Sequence, residues 1–287
     1  NLILHTPSNT RQIGILKNFK AHIDEILHKQ FGLAATLLVR AAPSGTRAAN
    51  PRFTFENFVE GPQNTMSLKA AVQVSEKPGN PVYNPLYIYG PPGVGKTHLL
   101  HAIANKASQL RPNTKIVCTN SEEFTSELIQ ALRYSEQPDF RGKYQETDIL
   151  LMDDIQFLAG KEATQTELFY ILNTLTEMGK QIVLTSDRSP AEMPTLTEQL
   201  RDRFGCGIML QISPPDLPTR KQIIRVKAAQ MQLDLDEETV NYLAEALRSN
   251  VHQIEGGLHK IQAFHDLIDM PLTLAAVTRV IDGLKTD

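Results

Sequence analysis

The stretch Gly90-Pro91-Pro92-Gly93-Val94-Gly95-Lys96-Thr97 constrains this chain more than any other. It fits G-x-x-x-x-G-K-[ST], a spacing that average residue usage produces by accident in roughly one chain in a hundred of this size. Its surroundings fit as well: an apolar run at 85–89 precedes it, and a helical pattern with Leu99, Leu100 and Ile103 on the inner side follows. Strand, glycine-rich loop and helix in that order form a phosphate cradle. Gly90, Gly93 and Gly95 allow backbone N–H groups to close around phosphate oxygens, and the helix N-terminus adds positive potential. Lys96 supplies a point charge for the β- and γ-phosphates, and the Thr97 hydroxyl a ligand for Mg²⁺.

The rest of the chain alternates in a way that suits such a cradle. Short apolar runs at 85–89, 115–119, 148–152, 181–185 and 207–212 are separated by helical patterns, the clearest being Leu168, Ile171, Leu172, Leu175 and Met178, stopped by Gly179. Strands spaced by helices predict βαβ units and a parallel sheet covered on both faces. After Pro214-Pro215 the strand signal stops, and 217–231, 237–248, 251–268 and 274–284 all read as helices. The fold class is therefore α/β with a small helical unit behind it. In front, 2–4 reads as a strand closed by Thr6-Pro7-Ser8. Ile13, Leu16, Phe19, Ile23, Ile26 and Leu27 share one helical face, and 33–39 reads as a second strand. The small, Pro/Gly-containing stretch 41–50 makes a linker. The expected organisation is a small unit at 1–40, a linker at 41–50, a nucleotide-binding body at 51–215 and a helical lid at 216–287.

Composition excludes some functions. The longest apolar run, at 32–39, is broken by Thr36 and is far short of the ~20 residues a membrane-spanning helix needs. Cys118 and Cys206 cannot by themselves build a disulfide framework or a zinc site. With no signal-peptide pattern, a reducing cytoplasm is the expected compartment. A net charge of −3 argues against bulk-charge binding of nucleic acid but leaves room for a local patch.

A second element completes the cradle's chemistry. Asp148-Ile149-Leu150-Leu151-Met152-Asp153-Asp154 is an apolar strand ending in two carboxylates. Behind a phosphate loop, Asp153 reads as the Mg²⁺ partner and Asp154 as the group that orients an attacking water. A third strand ends at Thr185-Ser186-Asp187, on the edge where open α/β sheets take their ligands.

These segments join into a longer likeness. Asn84-Pro85-Leu86-Tyr87-Ile88-Tyr89-Gly90, Gly95-Lys96-Thr97-His98-Leu99-Leu100-His101-Ala102-Ile103, Asp153-Asp154-Ile155-Gln156-Phe157, Leu184-Thr185-Ser186-Asp187-Arg188, Arg203-Phe204-Gly205 and Asn250-Val251 with Ile254-Glu255-Gly256 stand in the order and spacing of one family. From about Asn50 to its last residue the chain resembles the bacterial chromosomal replication initiators, the DnaA family. The resemblance implies an AAA+ P-loop NTPase: a Rossmann-like parallel-sheet body and an all-helical C-terminal lid, behind part of a small KH-like α+β domain. It implies ATP and Mg²⁺ as cofactors and Phe58 and Val59, within Phe53-Thr54-Phe55-Glu56-Asn57-Phe58-Val59, as lining of the adenine site. It further implies ATP/ADP-controlled self-association into a filament on origin DNA, with Arg203 acting in trans on a neighbour's nucleotide. Asp187 is implied as a further catalytic-edge residue, and Ile129 and Lys161 as contacts to single-stranded DNA. The replicative helicase or initiator regulators are implied as partners of the N-terminal domain, and acidic phospholipids by the likeness alone. A duplex-reading helix-turn-helix domain would follow such a lid.

The sequence departs from the family's pattern at four places. His252 stands where a nucleotide-sensing arginine is usual, Gln199 where an extra arginine precedes the finger, Ala163 where a basic residue helps hold single-stranded DNA, and Pro91-Pro92 inside the loop. Together they imply weakened hydrolysis or a specialised paralogue that regulates the initiator; a helicase loader of the same clade is a further alternative to an ATP-dependent initiator.

Overall fold

The computed structural model describes residues 2–6, 22, 26, 29, 37–41 and 49–283. Near the N-terminus, β1 (Leu2–Thr6) and β2 (Leu37–Ala41) pair in parallel with Leu2 opposite Leu37. Most of the expected helix between them, and 33–36 of the second expected strand, lie outside the described residues. His22, Ile26 and Lys29 are helical and exposed. Their i, i+4, i+7 spacing is one helical stripe, so Ile26 lies on the outer face with His22 and Lys29, not on the apolar face expected for it.

The body is built on a five-stranded sheet. Its strands are β3 (Leu86–Tyr89), β4 (Ile116–Asn120), β5 (Ile149–Asp153), β6 (Gln181–Ser186) and β7 (Ile208–Gln211), in spatial order β4-β5-β6-β3-β7 with every pairing parallel. The central strands read as unbroken apolar runs because both faces are covered. Their alternate residues feed different cores. Tyr87, Leu150, Met152, Ile182 and Leu184 enter one cluster, with Phe124, Tyr144 and Leu168 from the helices over that face. Leu86, Ile88, Ile149, Leu151 and Val183 enter the other, with Ala71, Leu99 and Ile103. The covering helices are α1 (Thr65–Glu76) and α2 (Lys96–Leu110) on the second face, and α3 (Ser121–Tyr134), α4 (Gln137–Gln145), α5 (Glu162–Glu177) and α6 (Glu198–Gly205) on the first.

Among the described residues, no strand follows Gln211. Helices α7 (Leu217–Gln230), α8 (Glu237–Ala246), α9 (Val251–Ile268) and α10 (Leu274–Asp282) surround their own core of Ile224, Leu243, Ile254, Leu258, Ile261 and Val277. Asp216, Asp236 and Asn250 start α7, α8 and α9 by accepting the N–H three residues on, which satisfies a donor each helix would otherwise leave orphaned. The approach segment ties the two cores together: Phe58 packs on the body's and Val59 on the lid's. No described helix is long and apolar enough to cross a membrane.

Candidate functional site

The C-terminal ends of β3, β5 and β6 lie side by side, and the loop after β3 closes over them. Register puts Tyr89 opposite Ser186, and the Gly90 N–H donates to the Ser186 carbonyl at 3.2 Å. Lys96 opens α2 and turns back into the loop, its ammonium donating to the carbonyls of Gly90 at 2.7 Å and Pro91 at 3.0 Å. Burial pulls the Lys96 pKa down, opposed by the carboxylates of Asp153, Asp154 and Asp187. The Thr97 hydroxyl donates to Asp153 Oδ2 at 2.6 Å. Asp153 Oδ1 accepts from the Thr185 hydroxyl and from the Asp154 N–H. Two strand ends and the first turn of α2 are thus knitted through one buried carboxylate.

Two glycines show how tightly the loop is packed. Gly93 has φ +77, and a Cβ there would stand 2.9 Å from the Asn250 and His252 side chains of the lid. Gly95 has φ +101, and its Cβ would stand 2.9 Å from the Phe58 ring. L side chains are disfavoured at both backbone conformations and have no room at either. The lid also holds the loop directly, the Val251 N–H donating to the Gly93 carbonyl at 2.9 Å.

Around this floor lies a cavity of about 500 Å³. Phe53, Phe58, Val59 and His98 form one wall, Lys96, Thr97, Asp154 and Asp187 the floor, and Ile223, Lys227, His252 and Glu255 the lid side. Phe58 meets His98 edge-on at 5.2 Å, and a His98 ring nitrogen lies 2.7 Å from the Thr54 carbonyl. Burial lowers the His98 pKa, which favours the neutral imidazole as part of this wall. Asp154 takes left-handed backbone angles, φ 57 and ψ 51, and burial raises its carboxyl pKa. Asp187 is gripped by Arg188 through two 2.7 Å bonds, which hold its carboxyl below the usual range. An apolar wall, and a floor that sets a lysine ammonium and backbone N–H groups beside carboxylates, suit a nucleoside polyphosphate with its divalent cation.

The family model for the bacterial DnaA ATPase domain matches residues 49–211, more than half of the chain. The chain belongs to the bacterial DnaA family. It is 44% identical over 248 residues to the chromosomal replication initiator protein DnaA of Thermomicrobium roseum, covering 86% of this chain and 53% of that protein. It therefore spans about half the length of the DnaA relatives it matches. The crystal structure of domain III of the Thermotoga maritima DnaA superposes with a TM-score of 0.79 at 38% identity, covering 83% of this chain and 98% of that one. A DnaA structure bound to AMPPCP and single-stranded DNA superposes at 0.72 with 36% identity, covering 81% of this chain and 69% of that one.

Not every residue expected from the DnaA likeness lies at the cavity. Arg203, on α6, lies outside it: one Nη donates to the Leu172 carbonyl at 3.3 Å and its buried Nε has no hydrogen-bond partner. Ile129 and Lys161 also lie outside it. Ile129 is 51% exposed on α3 beside Leu132 at 53%, which is the opposite of the core position its residue type favours. Lys161 precedes the first residue of α5, and Ala163 and Gln199 are exposed. His252 does line the cavity, with Nδ1 3.7 Å from Glu255. Three contributors had no individual role from sequence reasoning. Gln156 sits inside the Asp153–Phe157 segment with no spacing signal of its own. Lys227 and Glu255 form a 2.7 Å ion pair between α7 and α9, and only the i+4 step from Ile223 to Lys227 hinted that this face of α7 looks inward.

Proposed function

We propose that this chain is the ATP-switched assembly core of a chromosomal replication initiator. The observation that carries this reading is the Lys96–Thr97–Asp153–Thr185 cluster beneath a cavity closed by the lid. The residues fit Mg²⁺-ATP: Gly93 and Gly95 take backbone angles that L side chains disfavour and so let the loop close under Phe58 and the lid, Lys96 brings the cation, and Thr97 and Asp153 bring oxygen ligands of the kind Mg²⁺ takes. When bound, Mg²⁺-ATP supplies the triphosphate whose presence or loss the assembly reads. Phe58 and Val59 would hold the base, Gly90, Gly93, Gly95 and Lys96 the phosphates, and His252 the phosphate end from the lid.

Asp154 would orient an attacking water at its carboxylate. Arg203 of one copy would serve the site of the next, since a guanidinium neutralises charge on a transferring phosphoryl. Asp187 closes the edge of the floor. Ile129 and Lys161 would meet single-stranded origin DNA, a reading supported by the exposure of Ile129 and by the DnaA relative solved with such a strand. A body at 51–215 and a lid at 216–287 would then be the moving parts. Helicase or regulators would engage the unit at 1–40, and acidic phospholipids are a further partner by family likeness.

The test is nucleotide titration of the chain and of Lys96→Ala: tight binding by the first and none by the second is expected, and equally poor binding by both rejects the reading. His252 and Gln199, standing where DnaA proteins carry arginines, favour a second reading in which hydrolysis is weak and the chain regulates an initiator. Turnover with and without single-stranded DNA separates the two, and robust turnover abolished by Asp154→Asn rules out the regulator.

A further inference from the structure

Gln156 joins the ends of two strands through a single side chain. Its Nε2 donates to Asp154 Oδ1 at 2.9 Å, and its Oε1 accepts from the Asp187 N–H at 3.2 Å. The short helical turn Ile155–Leu158 that carries it begins directly after Asp154, and Ile155 and Leu158 are fully buried beneath. The amide is therefore fixed from below by packing and at both ends by hydrogen bonds. It also lines the cavity. The Asp187 carboxylate is taken up by Arg188, so the tip of β6 reaches Gln156 through its main chain.

This geometry matters because a carboxylate has a broad, roughly two-fold terminal torsion. Without a partner, Asp154 would present either oxygen to the cavity over a range of angles. With Oδ1 engaged, Oδ2 is the oxygen left for a water. The same amide relates that choice to the position of β6, since any shift of the Asp187 N–H changes what Gln156 can hold.

We propose that Gln156 is a positioning residue for hydrolysis, selecting the Asp154 oxygen that takes the water's proton and coupling that selection to the tip of β6. The proposal rests on Asp154 being the water-orienting carboxylate.

Two variants separate the halves of the bridge. Gln156→Glu keeps an acceptor for Asp187 but replaces the donor to Asp154 with an oxygen, whereas Gln156→Leu removes both. At saturating Mg²⁺-ATP both are expected to lose roughly tenfold or more in turnover with melting temperature nearly unchanged, and the uncharged Gln156→Leu to change the ATP Kd far less than its turnover. Adding Gln156→Leu to Asp154→Asn is expected to cost nothing further, because Gln156 acts through Asp154. A readout independent of turnover is the side-chain ¹⁵N–¹H pair of Gln156 in the nucleotide-free chain, which is expected to shift in Asp154→Asn. Parental turnover in Gln156→Glu, independent multiplying losses in the double variant, or an unmoved Gln156 amide signal would each overturn the proposal. A parent that binds ATP without turning it over overturns it while leaving nucleotide binding intact. Failure of ATP binding itself rejects the functional reading instead, and the amide signal still reports on the Gln156–Asp154 bond.

Discussion

The Thr97 hydroxyl donates to Asp153 Oδ2 at 2.6 Å, across 56 residues of sequence. One residue comes from the first turn of α2 and the other from the last position of β5, so the bond exists only once the sheet has formed. Thr97→Val keeps the shape and removes the donor. A buried carboxylate short of one partner costs about 1–3 kcal/mol. The variant is expected to lose stability on that scale in urea titration and to lose most of the Mg²⁺ enhancement of ATP binding, seen by titrating with and without the metal.

Gly93→Ala addresses the contact between loop and lid. Its Cβ would press on Asn250 and His252, at a backbone φ of +77 that alanine resists. The expected result is a lid displaced from the loop, with ATP affinity reduced at least tenfold and the body's fold retained. Hydrogen exchange at the Val251 N–H, which bonds the Gly93 carbonyl, would report the displacement directly. Retained protection and affinity would rule out this contact as a determinant.

Asp148 links three strands at the edge of the sheet away from the cavity. It accepts from the Lys115 N–H at 2.9 Å and from the Lys180 ammonium, and its carbonyl accepts from the Gln181 N–H. The Lys180 and Lys115 bonds hold its pKa below the ordinary value of 3.8. A depressed folded-state pKa contributes stability that is present above the unfolded value and lost as pH falls through the folded one. Stability should therefore decline on acidification below about 4, and Asp148→Asn should flatten that part of the melting-temperature profile. Its exposure to solvent keeps the effect small, under about 1 kcal/mol.

Leu151→Ala probes the core beneath the site. Leu151 is fully buried at the centre of β5. Loss of its side chain is expected to cost about 2–5 kcal/mol in equilibrium unfolding, the upper part applying if the sheet cannot close over the gap.

Much of this was legible in residue order, and what was not has a physical cause. Each strand of the body was expected to within a residue or two, because apolar runs buried on both faces leave a strong signal. The ends slipped where polar residues finish a strand, as Asn120, Asp153 and Ser186 do. Lys96, Thr97 and Asp153 stood out because their chemistry requires a spacing. Gln156 did not, since its role arises from two hydrogen bonds set by the neighbouring strand, and nothing local announces them. The ion pair of Lys227 with Glu255 depends on how α7 and α9 cross, which periodicity does not specify. The exposure of Ile129 beside Leu132 likewise reflects which face of α3 the sheet leaves uncovered.

The bond from Val251 to the Gly93 carbonyl makes the start of α9 a lever resting on the phosphate loop. The lid packs about its own core, so a movement of the loop too small to matter locally would be carried along α9 as an angle. At the far end of that arm the angle would become a larger displacement. A second copy docked there would sense the chemistry at Gly93 as a change of shape, without touching it.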